Sequence, residues 1–391
     1  RAGRIRAERA RRRRRLTAVL AVTVLIGVVV GTVFLGSRLW SSMFGTPSDF
    51  TGDGVSDVVI EVSEGDSTTA IGQTLFDADV VATVQGFVDA AAGNPAIQAI
   101  QPGFYSVRTE IPAASAVAKL TDPASRVGKL TIPEGRQLDD MVDVRTNAVT
   151  PGVLSMISEA TCTDLDGQRS CVSIDDLRNA ASTDSLETLQ VPVWAVEPVT
   201  AMGTDHRRLE GLIAAGTWNV DPSAQPGEIL GSLISASGAR YEASGLLATA
   251  AAMNISPYDV LVVSSLVQRE ALPHDFPKVA RVIYNRLAAN RKLEFDSTVN
   301  YSLDRQEIAT TDEDRARVTP WNTYASLGLP ATPICSPSAT ALAAAEHPEP
   351  GDWLYFVTID MQGTTLFTRE YEDHLAAIEI ARRNGVLDSA R

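Results

Sequence analysis

The sequence predicts an α+β protein built from one N-terminal transmembrane helix, a small α+β module and a larger α+β domain. Three observations carry that prediction. Leu16 to Ser37 is a run of 22 residues without one charged side chain, directly behind a block of arginines. The stretch 55–127 mixes strand-like alternation with short helical periods. Beyond Leu209, helical patterning is followed by two β-rich runs and a closing amphipathic helix. The composition agrees with packed domains. With 391 residues, 45% apolar and 21% charged, the chain has length for two or three domains, and a wholly disordered protein is excluded. Three cysteines are too few for a disulfide-stapled miniprotein.

Charge is distributed unevenly. Residues 1–15 hold nine Arg against Glu8, a net of +8, so the overall −14 leaves −22 on the remainder. As a helix, Leu16 to Ser37 would span roughly 33 Å, close to the hydrocarbon thickness of a bilayer. Arg38 ends the run, and Trp40 and Phe44 follow where interfacial aromatics are favoured. Three readings compete: a buried core helix, a cleaved signal peptide and a retained anchor. A core helix rarely stays uncharged for this long, and a signal peptide has a shorter apolar region and an A-x-A-like site that is missing after Phe34. A retained anchor over 16–38 fits best. The positive-inside rule then keeps the 1–15 tail cytoplasmic and places everything past about Trp40 outside the cell membrane, single-pass. The same rule accounts for the arginines, so no nucleic-acid partner is expected.

Ser41 to Gly54 is rich in Ser, Gly, Thr and Pro and reads as a tether, giving a linker over 39–54. Asp57–Val62 alternates like a strand. Ser67 or Thr68 is placed to cap a helix with Ile71, Leu75 and Phe76 on one face. A second helix is expected over Val81–Ala92, a turn and strand over 101–108, and a short helix over Pro112–Leu120. In the run 129–141, Pro133-Glu134-Gly135 reads as a sharp turn into a helix. The polar stretch at about 150–204 has weak periodicity and reads as an insertion or irregular lobe. Within it, Cys162 and Cys171 bracket TDLDGQRS, a spacing suited to a local disulfide hairpin in an oxidising compartment, with Cys335 left as a buried thiol. No cysteine or histidine spacing suits zinc.

The segment 256–272, SPYDVLVVSSLVQREAL, holds the best candidate for chemistry. Ser256 suits the N-cap, Pro257 the first helical position, and Asp259 the positive end of the dipole. Val260, Val263, Val267 and Glu270 follow at steps of three, four and three, which places Glu270 on an apolar face beside Leu266. A carboxyl there is desolvated, which raises its pKa and suits a general acid. The alternative is a structural ion pair with a basic group from another element. In the next helix, Val279, Val282, Ile283 and Leu287 form the core face, with Arg281 and Arg286 at its edges. Two polar clusters follow: Asp296, Ser297, Thr298, Asn300 and Tyr301, then Trp321, Asn322 and Tyr324 in a Pro/Gly-rich loop. Both suit a sugar groove, and both suit ordinary capping and loop-pinning. Residues 352–358 and 364–368 read as a hairpin before the final helix. Phosphate-loop, dinucleotide, H-E-x-x-H and G-x-S-x-G signatures are missing.

Taken together, these motifs resemble the YceG-like (MltG-type) endolytic murein transglycosylase family, membrane-anchored enzymes that cut nascent peptidoglycan strands. The residues carrying the resemblance are VSEGDSTTAIGQTL, QPGFYSV, LTIPEG, LEGLIAAGTW, SSLVQREA, VARVIYNRL, LEFDSTVNY, TPWNTYASLGLPATPI and the final LYFV…G…F…DH, in family order. The resemblance implies a LysM-like module over 55–127 and a catalytic domain over 128–391. It implies Glu270 as the catalytic acid, with Asp296, Thr298, Asn322, Thr323 and Tyr324 binding substrate and no cofactor or metal. The implied reaction cleaves the β-1,4 bond between N-acetylmuramic acid and N-acetylglucosamine and leaves a 1,6-anhydro end. Because the substrate's own C6 hydroxyl is the nucleophile, one carboxyl suffices. Implied partners are glycan strands and the peptidoglycan synthases of elongation or division. Two other readings stay open: a non-catalytic wall-binding scaffold, which the intact Glu270 disfavours, and a hydrolytic muramidase, which needs a second acid and a positioned water.

Overall fold

The computed structural model describes residues 49–303 and 310–386. The expected basic tail, transmembrane helix and most of the linker lie outside the described residues. Within them, no single helix is long and apolar enough to cross a membrane. The chain divides into two compact units, one holding 66–100 and 108–121, the other holding 56–65, 101–107 and everything from Asp122. The strands and the helices expected together over 55–127 thus fall in different units.

Strand β1 (Asp57–Val62) belongs to the larger unit. The smaller unit is helical, with α1 (Thr68–Asp77) and α2 (Val84–Ala92). The Ser67 hydroxyl caps α1 by accepting the Ala70 N–H at 3.1 Å, and Thr83 caps α2 on the Gly86 N–H. That second cap starts α2 three residues later than its periodicity suggests. Ile71 and Leu75 are buried, but Phe76 is 44% exposed, because the step from 71 to 76 turns it off the apolar face. β2 (Gly103–Arg108) is followed by α3 (Ala113–Thr121), whose Ala116, Val117 and Leu120 complete the core of the smaller unit.

In the larger unit the first sheet has the order β1-β2-β3, with β3 (Arg126–Val127) antiparallel to β2. β4 (Lys129–Ile132) follows directly. The helix expected after Pro133-Glu134-Gly135 does not form. Gly135 takes φ +73°, its N–H donates to the Ser336 carbonyl at 2.8 Å, and Arg136 bridges back to Ser336. The Leu138 N–H goes to a distant side chain, so no helical ladder can start there. Short strands β5 (Met141–Val142) and β6 (Val149–Thr150) pair instead.

The stretch at about 150–204 is regular, which corrects the expectation of an irregular lobe. It holds α4 (Val153–Ala160), a hairpin of β7 (Thr163–Leu165) and β8 (Gln168–Ser170), α5 (Ile174–Thr183) and α6 (Val196–Ala201). Cys162 and Cys171 are joined across the hairpin base. Val153, Leu154, Ile157, Leu177, Leu189 and Val199 join the main core, packed beside a polar outer surface that masks the helical period in sequence.

β9 (Gly216–Asn219) then pairs antiparallel with β4, Leu130 facing Trp218. Helices α7 (Pro226–Ala243), α8 (Leu246–Met253), α9 (Pro257–Glu270) and α10 (Phe276–Ala288) follow in close succession. The short α11 (Asp296–Asn300) and α12 (Asp312–Ala316) precede α13 (Ala339–Glu346), which packs on α9 and α10. The expected hairpin is β10 (Tyr355–Thr358) with β11 (Thr365–Thr368), and α14 (Tyr371–Arg383) closes the described chain. Arg286 departs from its expected place at a helix edge. Only 8% exposed, it donates to the carbonyls of Leu293 and Leu354, joining α10 to the loop before α11 and to β10.

Candidate active site

Helix α9 presents the central carboxyl. Ser256 accepts the Asp259 N–H at 3.0 Å and Pro257 opens the first turn. Tyr258 and residues Val260 to Val267 are buried, so the helix is a core element and not a surface strut. The buried Ser265 hydroxyl accepts the Ile334 N–H at 3.0 Å, and the Gln268 amide oxygen accepts the Ser338 N–H at 2.9 Å. These bonds hold the loop 332–338 along the last turns of α9. Glu270 is the final helical residue, followed by extended Ala271.

Glu270 remains partly accessible as a residue, yet its carboxyl is desolvated, and that burial pushes its pKa up to about 7. The charge of Asp296 adds to the rise, while the backbone N–H of Ser297 and the charge of Arg269 oppose it. Near neutral pH both protonation states are therefore well populated, as a group that must give and then retake a proton requires.

Facing groups come from α11 and the loop 310–331. The Asp296 carboxylate accepts from the Tyr324 hydroxyl at 2.8 Å and the Thr310 hydroxyl at 2.8 Å, and pairs with Arg315 at 3.2 Å. Asp296 and Tyr324 both keep accessible surface. Burial and the Asp296 charge push the Tyr324 phenol well above its ordinary range, so it stays a hydrogen-bond donor.

The other three residues implied as substrate ligands are turned inward. Thr298 is fully buried and its hydroxyl lies 2.9 Å from that of Thr323, itself 2% exposed. The Thr323 hydroxyl also accepts the Phe295 N–H, and Thr298 accepts the Thr323 N–H. Asn322 is 1% exposed. Its amide donates to the carbonyls of Asp314, Arg315 and Arg317, and its oxygen accepts the N–H of Tyr324. These hydrogen bonds fasten α11 to the 321–324 loop.

A second buried carboxyl was not singled out from the sequence. Glu210, 1% exposed, accepts the Leu138 N–H at 2.9 Å and the Tyr301 hydroxyl at 2.8 Å. Burial pushes its pKa up to about 7, against those two donors. The available signal was an acid set among Leu209, Leu212 and Ile213, the pattern that singled out Glu270. Among the described residues no cluster of three or more His, Cys, Asp or Glu could hold a metal ion.

The geometry thus gathers the segments around 133–138, 209–211, 265–270, 295–301 and 321–338 into one place. The profile of the YceG-like family matches residues 60–380. The chain belongs to the YceG-like family. Relatives of this YceG-like chain include a Bacillus subtilis protein named endolytic murein transglycosylase, 25% identical over 84% of this chain and 85% of the relative. A Streptococcus pneumoniae protein of the same name is 24% identical over 81% of this chain. The matched region spans 57% of that pneumococcal protein's length. A crystal structure of a YceG-like protein from Listeria monocytogenes shares the fold, with a TM-score of 0.52 and 22% identity over 82% of this chain and 98% of the other.

Proposed function

We propose that this YceG-like chain is a membrane-anchored endolytic lytic transglycosylase that cleaves the β-1,4 bond between N-acetylmuramic acid and N-acetylglucosamine in nascent glycan strands. The observation carrying this reading is the desolvated carboxyl of Glu270, with a pKa near 7, beside the accessible Asp296 and Tyr324. The names of the bacterial relatives support the same reading. Glu270 donates its proton to the glycosidic oxygen as the bond to C1 of the muramic residue breaks. The resulting carboxylate takes the proton of the C6 hydroxyl while O6 bonds to C1. The product is a 1,6-anhydro end, no water is consumed, and Glu270 is protonated again.

Asp296 and Tyr324 orient the sugar, whereas Thr298, Asn322 and Thr323 act behind them by holding the loop in place. The uncharged run Leu16 to Ser37 and the arginines before it support the anchor, with Glu270 on the outer side and wall synthases within reach. Protease protection of the 1–15 tail in intact cells would support that topology, and its digestion would refute it.

Mass spectrometry of glycan strands digested by wild type and by Glu270→Gln tests the chemistry. Anhydro ends from wild type alone are expected. Reducing muramic ends would indicate a hydrolase, uncleaved strands a scaffold, and full activity in Glu270→Gln would remove Glu270 from the mechanism.

A further inference from the structure

We propose that Glu210 is a positioning residue for the Glu270 reaction, its carboxylate anchoring through Tyr301 the short helix α11 that sets Asp296 and Ser297 against Glu270. This inference rests on the transglycosylase reading above. The first link is the bond from the Tyr301 hydroxyl to Glu210 at 2.8 Å, made between fully buried groups. The second is local: the Tyr301 N–H donates to the Ser297 carbonyl at 3.0 Å, so Tyr301 is the residue that ends α11. The third is that α11 packs against α9, where the charge of Asp296 and the backbone N–H of Ser297 act on the Glu270 carboxyl.

The same phenol ring also steadies the opposite wall. Tyr301 packs edge-on against Trp321 at 5.3 Å, one residue before the Asn322-Thr323-Tyr324 turn. Trp321 is held in turn by its N–H bond to Thr332 and by the Arg207 guanidinium 4.0 Å over its ring. Glu210 therefore sits under the junction of both polar segments that face Glu270.

Its own backbone is immobilised. Gly211 takes φ +74°, and a Cβ there would fall 2.5 Å from Pro333, while the buried Tyr241 hydroxyl donates to the Gly211 carbonyl at 2.9 Å. The Leu138 N–H fixes Glu210 from the far side. A carboxyl in this place is expensive. Its second oxygen, Oε1, is buried without a hydrogen-bond partner among the described residues. A well-packed apolar side chain would fill such a volume at lower desolvation cost, so stability alone does not account for an acid here. An acceptor that locks a phenol into register does.

The test measures kcat, KM and the pH profile on purified glycan strands for wild type, Glu270→Gln, Glu210→Leu, Glu210→Gln and Tyr301→Phe. Tyr301→Phe keeps the ring on Trp321 and removes only the hydroxyl. It and Glu210→Leu are expected to lower kcat roughly 10- to 100-fold with KM little changed, as for a displacement of about 1 Å at the reacting groups. Because α11 carries both Asp296, which raises the pKa of Glu270, and Ser297, which lowers it, loosening α11 should also displace the alkaline limb of the profile. Glu210→Gln, whose amide oxygen accepts the same two hydrogen bonds, should recover most of the loss.

A folded Tyr301→Phe with wild-type kcat and an unmoved alkaline limb overturns the inference, even if Glu210→Leu fails to fold. Wild type that leaves strands intact overturns the transglycosylase reading and this inference with it. Wild-type cleavage abolished by Glu270→Gln but indifferent to Tyr301→Phe overturns this inference alone.

Discussion

At the residue scale, the proposed chemistry turns on how neighbours divide their effects on Glu270. Desolvation is the largest influence and raises its pKa, Ser297 opposes it, and the Asp296 charge adds to the rise. A general acid must enter the reaction protonated, so wild-type turnover should fall as pH rises through about 7. Replacing Asp296 with Asn removes a negative charge next to Glu270. The midpoint of that fall should then move to lower pH, with a lower kcat because Tyr324 and Arg315 lose their ionic partner. A pH–rate profile of Asp296→Asn whose midpoint stays put or rises would count against this electrostatic account.

At the element scale, α9 is specified locally and α11 is not. The cap at Ser256, the proline after it and the apolar period define α9 from its own residues. Helix α11 has five residues, too few to be stable alone, and it persists through Thr298, Tyr301 and the loop they bind. The disulfide hairpin is a further element of local origin. Its cysteines are nine positions apart, and a loop of that size is worth roughly 3 kcal/mol in the chain-entropy account. The hairpin also meets β1, where the Asp57 carboxylate accepts the Asp166 N–H at 2.8 Å. The double substitution Cys162→Ser and Cys171→Ser should lower stability by about that amount in a denaturant titration, leaving kcat little changed. Equal midpoints with and without the bridge would show that the hairpin holds itself.

At the scale of the whole molecule, two carboxyls of raised pKa set a pH dependence of folding. Glu210 and Glu270 titrate near 7 in the folded chain against 4.5 for the ordinary carboxyl. The folded state therefore binds protons more tightly than the unfolded one between these values. Their contribution is fully present below about pH 4.5 and is lost as pH rises through about 7. For the fully buried Glu210 it is on the order of 3 kcal/mol. Thermal melts of wild type and Glu210→Gln across this window should show a steeper loss of stability in wild type. Parallel curves would mean that Glu210 does not titrate there.

By itself, the sequence determined the α+β class, the start of α9, the closing hairpin and helix, and the placing of Glu270 on an apolar face. Each of these rests on caps, periods and turns encoded within a few neighbouring residues. Only the tertiary structure decided that the turn at Gly135 bridges to Ser336 and starts no helix, and that Arg286 is buried against carbonyls of other elements. It also separated Asp296 and Tyr324, which stay accessible, from Thr298, Asn322 and Thr323, which spend their hydrogen bonds inside the protein. The pairing of Glu210 with Tyr301 joins residues 91 positions apart. Polar side chains carry no mark of whether water or a distant partner will satisfy them, and that choice is made when the segments pack together.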